Sequence, residues 1–270
     1  MSTQDERFDR QTFLGERAPD IFSRARVAVI GLGGGGSHIG QQLSHVGIRN
    51  LYYFDHDAVT FSNLNRLVGA TVADAEREVL KTAVAGRIHS GLHPDGCAKL
   101  FPGRWQDHVS ALRECDIIVS CVDSFAARRD LEAEARRGLI PLIDIGIDVH
   151  PAISGPPRLV GQIILSMPGF PCMQCLGFLS ESNLAKEAAD YGAAGPRPQV
   201  IWPNGIVASF AVDLVVDLLT DWTGEIRGPV YLSYDGNRRT VTPSTRLSAA
   251  PLTCVHYPRT QVGAPAFRRL

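Results

Sequence analysis

The chain of 270 residues carries no excess of charge of either sign. It has 27 Lys and Arg against 28 Asp and Glu, which gives a formal net charge of -1. No block of Lys and Arg marks a nucleic-acid arm, so non-specific binding to a polyanion is not favoured. Nucleic acid is therefore not an expected partner.

The sequence also lacks long apolar runs. Residues 1–20 are polar and mixed in charge, unlike a signal peptide, and no apolar run is long enough to span a bilayer. The six cysteines are scattered rather than set in a dense secreted framework. These absences predict a cytoplasmic protein with reduced thiols and no membrane partner.

The overall composition is that of a soluble globular protein. Apolar residues make up 44% and charged residues 20% of the chain, which excludes a disordered or fibrous protein. The length exceeds that of a typical single domain, yet one large α/β sheet with an appended irregular segment accounts for it.

The first recognisable unit is a strand, a glycine-rich turn and a helix. Residues 26–30 have the pattern of a buried strand, and residues 37–45 that of a helix. Between them Gly31, Gly33 and Gly36 form a G-x-G-x-x-G, which lets a helix N-terminus approach a phosphate. The motif fits NAD, FAD or ATP, and glycines that only close a tight turn are the alternative.

Strands and helices then alternate along the first half of the chain. Strand patterns recur at 51–54, 116–122 and 140–146, and helical patterns at 75–85 and 126–137. This alternation predicts an α/β fold with a doubly wound, mostly parallel sheet.

The second half of the chain has a different pattern. A strand at 159–166 follows without a crossover helix, so the sheet is expected to continue as a mixed sheet. Residues 180–199 are predicted to be a mobile connection, Asn204 to open a long helix, and 231–241 to form a hairpin. Residues 258–270 are predicted to be a disordered tail.

Two further segments help to distinguish among the classes of nucleotide-binding protein that carry such a glycine turn. Residues 7–11 read R-F-D-R-Q, and residues 55–66 read D-H-D-A-V-T-F-S-N-L-N-R. With the glycine turn, a downstream helix lysine and an aspartate after an apolar strand, the combination resembles the ThiF/MoeB/HesA superfamily of ubiquitin-activating-like adenylyltransferases. The resemblance covers about residues 7–245.

The resemblance implies a Rossmann-like fold and an activity. It implies an N-terminal helical segment, 1–25, and an adenylation domain, 26–257, with a nucleotide-binding half, 26–150, and a substrate-binding half, 151–257. The expected reaction uses ATP and Mg²⁺ to activate the Gly-Gly carboxylate of a ubiquitin-like or sulfur-carrier protein as an acyl-AMP. Such a reaction needs charge neutralisation more than a nucleophilic side chain.

The resemblance also assigns roles to individual residues. Asp123 would hold Mg²⁺, and Arg10 would reach the partner's nucleotide across a homodimer interface. The residues expected to carry the reaction are Arg10, Arg66, Lys81 and Asp123. The residues expected to bind ATP are Gly31, Gly33, Gly34, Gly36, Asp55, Asp57, Asn63, Arg66 and Lys81.

Each charged residue also has a simpler interpretation. Lys81 could be solvated on a charged helix, and Asp123 could cap the helix that begins near Phe125. Arg10 and Arg66 could form surface ion pairs. Asp57 either assists Asp55 or only fixes the turn.

A metal site is predicted in the second half. Cys172 and Cys175 form a C-x-x-C that matches half of the family's zinc knuckle, and Cys254 with His256 could complete a Cys3His set. Free thiols are the alternative. Because residues 180–199 contain no cysteine, we expect no thioester on that segment.

The sequence departs from the family pattern at Leu67, Ser124 and Gly35, where glutamine, asparagine and a bulkier residue are usual. None of these changes removes a charge. Three rival functions stay open: activation of a tRNA-linked or peptide carboxylate, an NAD-dependent oxidoreductase, and a non-catalytic nucleotide-binding interaction module.

Overall fold

The computed structural model describes residues 5–152, 154–189 and 198–257. These residues contain one eight-stranded sheet in the order β3-β2-β1-β4-β5-β6-β7-β8. The strands are β1 Arg26–Ile30, β2 Asn50–Phe54, β3 Cys97–Phe101, β4 Ile117–Ser120, β5 Leu142–His150, β6 Arg158–Ser166, β7 Val230–Asp235 and β8 Thr240–Pro243.

The pairing confirms the predicted mixed sheet. Strands β1 to β5 run parallel to one another, whereas the pairs β5–β6, β6–β7 and β7–β8 are antiparallel. The α-helices are α1 Ala18–Arg24, α2 Gly34–Val46, α3 Val72–Glu76, α4 Lys81–Leu92, α5 Val109–Leu112, α6 Phe125–Arg137, α7 Glu181–Ala189, α8 Ile201–Thr220 and α9 Thr245–Ser248. A 3-10 helix, Asp5–Leu14, precedes α1.

Helices cover both faces of the sheet, as a doubly wound fold requires. On one face α1, α2, α4 and α8 pack against alternate side chains of the central strands. On the other face α5, α6 and residues 172–179 cover the remaining side chains. Because the central strands are buried on both faces, they read as continuous apolar runs such as Val-Ala-Val-Ile in β1.

Several elements differ from the sequence prediction. Strand β3 was not predicted, and the helix predicted at 75–85 is two helices with a break at residues 77–80. Helix α8 begins at Ile201, three residues before Asn204. The first half of the segment predicted to be mobile, 180–199, forms α7, while residues 190–197 and the tail predicted at 258–270 lie outside the described residues.

Helix α8 corrects the expectation about apolar runs. By length and composition alone its 20 residues could cross a membrane. In the fold, more than half of it is buried, and it packs against α2, β5 and β6. A core helix of a globular fold meets the same criteria, so α8 is accounted for by the packing of this domain.

Candidate active site at the carboxyl ends of β1, β2 and β4

The glycine turn lies where the order of the strands reverses. Strand β1 has β2 on one side and β4 on the other, and such a switch point is where open α/β sheets bind ligands. Gly31 has φ +84° and sits so close to β4 that a Cβ would lie 2.8 Å from the Cys121 carbonyl oxygen. A Cβ on Gly36 would lie 1.9 Å from the Gly31 carbonyl oxygen. Both positions therefore require glycine.

The same turn presents a helix N-terminus. Gly33 precedes the first residue of α2, Gly34, and no side chain caps this end of the helix. A Cβ on Gly33 would meet no atom within 4 Å, so the space in front of the turn at this residue is open to a ligand. Unpaired N–H groups at such an end favour an anion.

Asp55 joins the end of β2 to the glycine turn. Its carboxylate is buried and accepts hydrogen bonds from the Leu32 amide at 2.6 Å and the Asp57 amide at 2.8 Å. These bonds hold the carboxylate at the switch point, where the resemblance predicts that Asp55 binds ATP.

Lys81 lies inside the site rather than on a charged helix surface. An antiparallel bridge between Ala58 and Leu80 interrupts the predicted helix, so α4 starts at Lys81 itself. The side chain is 9% exposed, with Nζ 2.6 Å from Asp57 Oδ2 and 3.9 Å from Asp55 Oδ1. The solvated alternative for Lys81 is therefore wrong.

Asp57 is the half-exposed partner of this lysine. Partial burial opposes its ionisation, but the hydrogen bond and charge of Lys81, together with His56, lower the pKa of the Asp57 carboxyl. Asp57 is thus a charged partner of Lys81 and also shapes the turn.

The loop with Asn63 and Arg66 adjoins α2. Asn63 Oδ1 accepts a bond from the Thr60 amide, and Arg66 Nη1 donates to the carbonyl of Ser62 at 2.6 Å. Both side chains are partly exposed. Both side chains therefore have local partners and are within reach of solvent, on the loop that the Val68 amide ties to Ser37 of α2.

Two buried residues of the site were not predicted. The hydroxyl of Ser37 donates to the Gly34 carbonyl and accepts from the Val68 amide, both at 3.0 Å, and so ties the loop to α2. The side chain of Asn204 packs on the turn, because a Cβ on Gly34 would lie 2.6 Å from Asn204 Nδ2. Asn204 lies far along the chain, so no local sequence signal linked it to this turn.

Asp123 follows β4, directly beside β1. It is exposed, and the cap of α6 is the next residue, Ser124, whose hydroxyl accepts from the Ala127 amide at 3.0 Å. The proposed capping role of Asp123 thus belongs to Ser124. Asp123 nevertheless lies at the switch point of the sheet, where residues that bind a metal ion or a phosphate are expected.

A second carboxylate binds the start of α6. Glu187, on α7, accepts from the Phe125 amide at 3.0 Å and the Ala126 amide at 3.1 Å. This contact docks α7 next to the turn that carries Asp123. It satisfies two helix donors that would otherwise face solvent.

The structure does not bring Arg10 to the site of its own chain. Its 3-10 helix lies at the far ends of α2 and α4, with Arg7 Nη1 donating to the Leu92 carbonyl at 2.7 Å and Phe8 packed on Gly47. Lys81 and Leu92 mark the two ends of α4, which by helix rise are about 16 Å apart. Arg10 itself is exposed.

The second half of the chain assembles a cysteine–histidine cluster. It consists of Cys172, Cys175, Cys254 and His256, whose ligand atoms all lie within 4.8 Å of one another. The two sulfurs of Cys172 and Cys175 are 3.6 Å apart, and His256 Nδ1 lies 3.4 Å and 3.3 Å from them. The structure therefore brings together two segments that are about eighty residues apart in the sequence, as the metal-site prediction requires.

Cys115 and Cys121 lie just before and just after β4, outside this cluster. Burial raises the pKa of the Cys115 and Cys121 thiols well above the ordinary range, with nearby carboxylates adding to the effect. A thiol with a raised pKa is a poor nucleophile at neutral pH. Neither residue is suited to carry a thioester.

Three named enzymes are similar to this chain in sequence. The chain is 30% identical over 224 residues to the SAMP-activating enzyme E1 of Haloferax volcanii, covering 80% of this chain and 77% of that enzyme. It is 30% identical over 182 residues to the molybdopterin-synthase adenylyltransferase of Escherichia coli, covering 66% and 68%. It is 29% identical to ubiquitin-like modifier-activating enzyme 5 of Drosophila erecta, covering 77% of this chain and 52% of that enzyme.

Solved structures and a family model complete the comparison. Escherichia coli MccB with ATP matches at a TM-score of 0.70 and 18% identity, covering 88% of this chain and 70% of that one. MccB with AMPCPP and MccA matches at 0.72, covering 90% and 72%. At this identity the likeness shows a shared fold. The ThiF family model matches residues 8–254, and the chain belongs to the ThiF family.

Proposed function

We propose that this protein is an ATP-dependent adenylyltransferase that activates the C-terminal carboxylate of a ubiquitin-like or sulfur-carrier protein. A carboxylate oxygen attacks the α-phosphorus of ATP, a new P–O bond forms, and the bond to the β-phosphate oxygen breaks. The products are an acyl-AMP and pyrophosphate. The named relatives, a SAMP-activating enzyme and a molybdopterin-synthase adenylyltransferase, support this choice.

The observation that carries the proposal is the position of Lys81. A nearly buried ammonium lies beside Asp55 and Asp57, and it lines a cavity with Leu32 of the glycine turn and Ser37 of α2. A preorganised cation in a site with little solvent stabilises charge that develops on a leaving group. Lys81 and the amides that begin α2 would together neutralise the triphosphate, while Asp55 would accept from the ribose hydroxyls.

The remaining predicted residues have proposed roles around this centre. Asn63 and Arg66 would add donors to the phosphates, since both are partly exposed on the loop that Val68 ties to α2. Asp123 would be the protein ligand of Mg²⁺. A single exposed carboxylate fits this ion, which commonly binds one or two carboxylates together with substrate phosphates and water.

The cysteine–histidine cluster fits a structural zinc ion. With Zn–S of about 2.3 Å and Zn–N of about 2.1 Å, tetrahedral geometry puts two sulfurs about 3.8 Å apart and a sulfur and nitrogen about 3.6 Å apart. The distances between Cys172, Cys175 and His256 Nδ1 are within 0.3 Å of these values. We propose Cys172, Cys175, Cys254 and His256 as its ligands. Four protein ligands leave no open position, so the role would be structural.

We also propose a homodimer with shared sites and a cytoplasmic location. Arg10 is exposed at the end of the domain remote from Lys81 of its own chain, so a contribution from Arg10 requires a second subunit. The scattered thiols, of which Cys115 and Cys172 are buried without a disulfide, support a reducing compartment.

ATP–pyrophosphate exchange tests the proposed reaction. The full chain is incubated with labelled pyrophosphate, ATP, Mg²⁺ and candidate ubiquitin-like proteins that end in Gly-Gly. Versions of each candidate without the terminal glycine serve as controls, beside Lys81→Met and Asp123→Asn enzymes. We expect exchange that depends on the Gly-Gly carboxylate and is lost in both variants.

The other outcomes assign the rival functions. Exchange with a peptide or tRNA-linked carboxylate, but with no ubiquitin-like protein, would change the substrate class. Nucleotide binding without exchange for any candidate would indicate a non-catalytic module. Preference for NAD over ATP in binding would contradict the proposal altogether.

A further inference from the structure

A buried ion pair on α6 lies against the cysteine–histidine cluster. Glu132 is fully buried and Arg136 is 5% exposed, with Arg136 Nε 3.4 Å from Glu132 Oε1. Burying two charges costs free energy that their attraction often only offsets, so a pair of this kind is weak evidence for added stability. The contacts that the two side chains make elsewhere point to another role.

Arg136 binds the backbone on the N-terminal side of Cys172. Its Nη1 donates to the Phe170 carbonyl at 3.0 Å, and its Nη2 donates to the Pro171 carbonyl at 3.2 Å. The same Nη2 donates to Ser166 Oγ, at the end of β6, at 2.8 Å. The guanidinium thus fixes the two residues that lead into the first cysteine.

Glu132 binds the backbone on the C-terminal side of the same cysteine. Its Oε1 accepts from the Met173 amide at 2.9 Å and from the Ser166 hydroxyl. One carboxylate oxygen and one guanidinium therefore hold the chain on both sides of Cys172. Burial raises the pKa of the Glu132 carboxyl, although the charge of Arg136 acts in the opposite direction.

Arg136 also contacts the second half of the cluster. Its Cζ lies 5.3 Å from the centre of the Tyr257 ring, in the range of a cation–π contact. Tyr257 directly follows His256 and is three residues from Cys254. A single side chain of α6 therefore touches both segments that supply the four ligands.

We infer that Glu132 and Arg136 are positioning residues that assemble the cysteine–histidine cluster from its two segments and hold it ready for a metal ion. The inference rests on the proposed zinc site. Groups that orient metal ligands without touching the metal tune affinity in other proteins. The positive charge of Arg136 would also favour the loaded site, in which three thiolates and a divalent ion would together carry a net charge of -1.

The chemistry of arginine makes the inference specific. A guanidinium offers five N–H donors in a rigid plane, whereas a lysine ammonium is a single point with three donors. The Arg136 guanidinium donates hydrogen bonds to two carbonyls, a hydroxyl and a carboxylate at once. Lysine at this position would keep the charge but could not make all four bonds.

Metal affinity, measured without ATP or acyl substrate, tests the inference. Zinc content and the dissociation constant are determined on the full chain by elemental analysis and by competition with a chromophoric chelator. The variants are Arg136→Met, Arg136→Lys and Glu132→Gln. Arg137→Met is the matched control, because the neighbouring Arg137 is half exposed and pairs with Glu134, which keeps a second cation in Arg113.

We expect Arg136→Met and Arg136→Lys each to weaken zinc binding about 10- to 100-fold, the usual range for such outer groups. Glu132→Gln keeps an acceptor for the Met173 amide, so a smaller loss is expected. Arg137→Met should stay within about twofold of the unaltered protein, since Glu134 keeps its ion pair with Arg113. In the Co²⁺-substituted protein, the visible d–d bands should change in the Arg136 variants and stay unchanged in Arg137→Met, even if one Arg136 variant is less stable.

Each other result has a defined meaning. If the unaltered chain binds zinc and both Arg136 variants bind it within twofold of that protein, the inference is overturned while the zinc site stands. If Arg137→Met weakens binding as much as Arg136→Met, general charge rather than these contacts is responsible, and the inference fails. If the unaltered chain binds neither zinc nor Co²⁺, the zinc proposal and this inference fail together. The adenylation proposal is independent of all three results.

Discussion

The ammonium of Lys81 lies 2.6 Å from Oδ2 of Asp57, across the gap between the start of α4 and the end of β2. A second ion pair on the same helix joins Arg87 to the buried carboxylate of Asp74 through two hydrogen bonds of 2.8 Å each. The first pair faces the glycine turn, and the second holds α4 to α3. The two pairs allow catalysis to be separated from stability.

We predict opposite effects for the two cations. Lys81→Met should lower kcat/KM for pyrophosphate exchange at least about 100-fold, the usual loss when a transition-state donor is removed. Its melting temperature should change little, because Asp57 is half exposed and can be hydrated, while the buried Asp55 carboxylate keeps its hydrogen bonds from two backbone amides. Arg87→Met leaves the Asp74 carboxylate buried without its cation, so it should cost about 1–3 kcal/mol of unfolding free energy with exchange retained.

Exchange kinetics and urea unfolding on the same preparations check this pair. The pKa of Asp74 is held well below its usual range, chiefly by the hydrogen bond from Arg87. Equal loss of activity in the two variants, at temperatures where both are folded, would contradict a specific role for Lys81.

Two glycines of the turn allow an effect on ATP binding to be separated from an effect on stability. Gly36→Ala would force a methyl group into the Gly31 carbonyl oxygen, whereas Gly33→Ala meets no atom of the protein. We predict that Gly36→Ala lowers the melting temperature strongly. Gly33→Ala should melt like the unaltered protein but bind ATP about tenfold or more weakly, because the methyl group would occupy the approach of a phosphate to α2.

Calorimetric titration with ATP, beside thermal melting, checks the glycine prediction. Unchanged ATP affinity in a well-folded Gly33→Ala protein would place the phosphates elsewhere. A destabilised Gly33→Ala protein would mean that this position, like Gly36, serves the turn itself.

The sequence predicts most of the sheet because each central strand is apolar on both faces and ends in a polar or glycine residue. Strand β3 was missed since Cys97, Lys99 and Leu100 are exposed or partly exposed at the sheet edge and give no apolar run. The break before Lys81 was missed because its cause, the bridge from Ala58 to Leu80, is not local.

The residues of the candidate site were also predicted only in part: those placed by local sequence were found, and those placed by tertiary contacts were missed. Asp55 and the glycines follow strands directly, so a pattern of strand ends is enough to find them. Asn204, Ser37 and Glu187 act through tertiary contacts with helix starts, and no period or motif in one sequence encodes such contacts. Arg10 matches a motif, yet the fold of one chain leaves it at the opposite end of α4 from Lys81.

The buried His89 predicts how stability depends on pH. His89 Nδ1 lies 3.0 Å from Ser44 Oγ, and Nε2 lies 3.2 Å from the Arg49 carbonyl oxygen. Burial, with a contribution from the charge of His93, lowers the pKa of His89 to about 4. Because the ordinary pKa of histidine is about 6.5, only the unfolded state takes up this proton between pH 6.5 and 4.

Stability should therefore be complete above pH 6.5 and fall as the pH drops toward 4. Each pH unit in this window costs about 1.36 kcal/mol, so at pH 5 the loss from His89 is about 2 kcal/mol. His89→Gln keeps a donor for the Arg49 carbonyl and cannot titrate. Urea unfolding at pH 7.5 and 5 should give a smaller pH-dependent loss for His89→Gln, by about that amount. Parallel curves for the two proteins would refute a neutral buried His89.

The carboxylate of Glu187 should control the start of α6. It accepts from the Phe125 and Ala126 amides and is supplied by α7, whereas Ser124 caps the Ala127 amide from within the turn. Removing an N-terminal cap costs about 1 kcal/mol, which corresponds to about fivefold faster opening. We predict that Glu187→Ala speeds hydrogen exchange of the Phe125 and Ala126 amides about fivefold.

The matched control is Glu181→Ala, at the exposed start of α7. Glu187→Ala should also reduce the protection of α7 itself, because the two hydrogen bonds dock that helix beside Asp123. Glu181→Ala should leave both segments unchanged. If exchange at Phe125 and Ala126 is the same in all three proteins, water satisfies these amides as well as Glu187 does. In that case α7 would have to be held by other contacts, such as the bond of 3.0 Å from Asn183 Nδ2 to the Phe178 carbonyl.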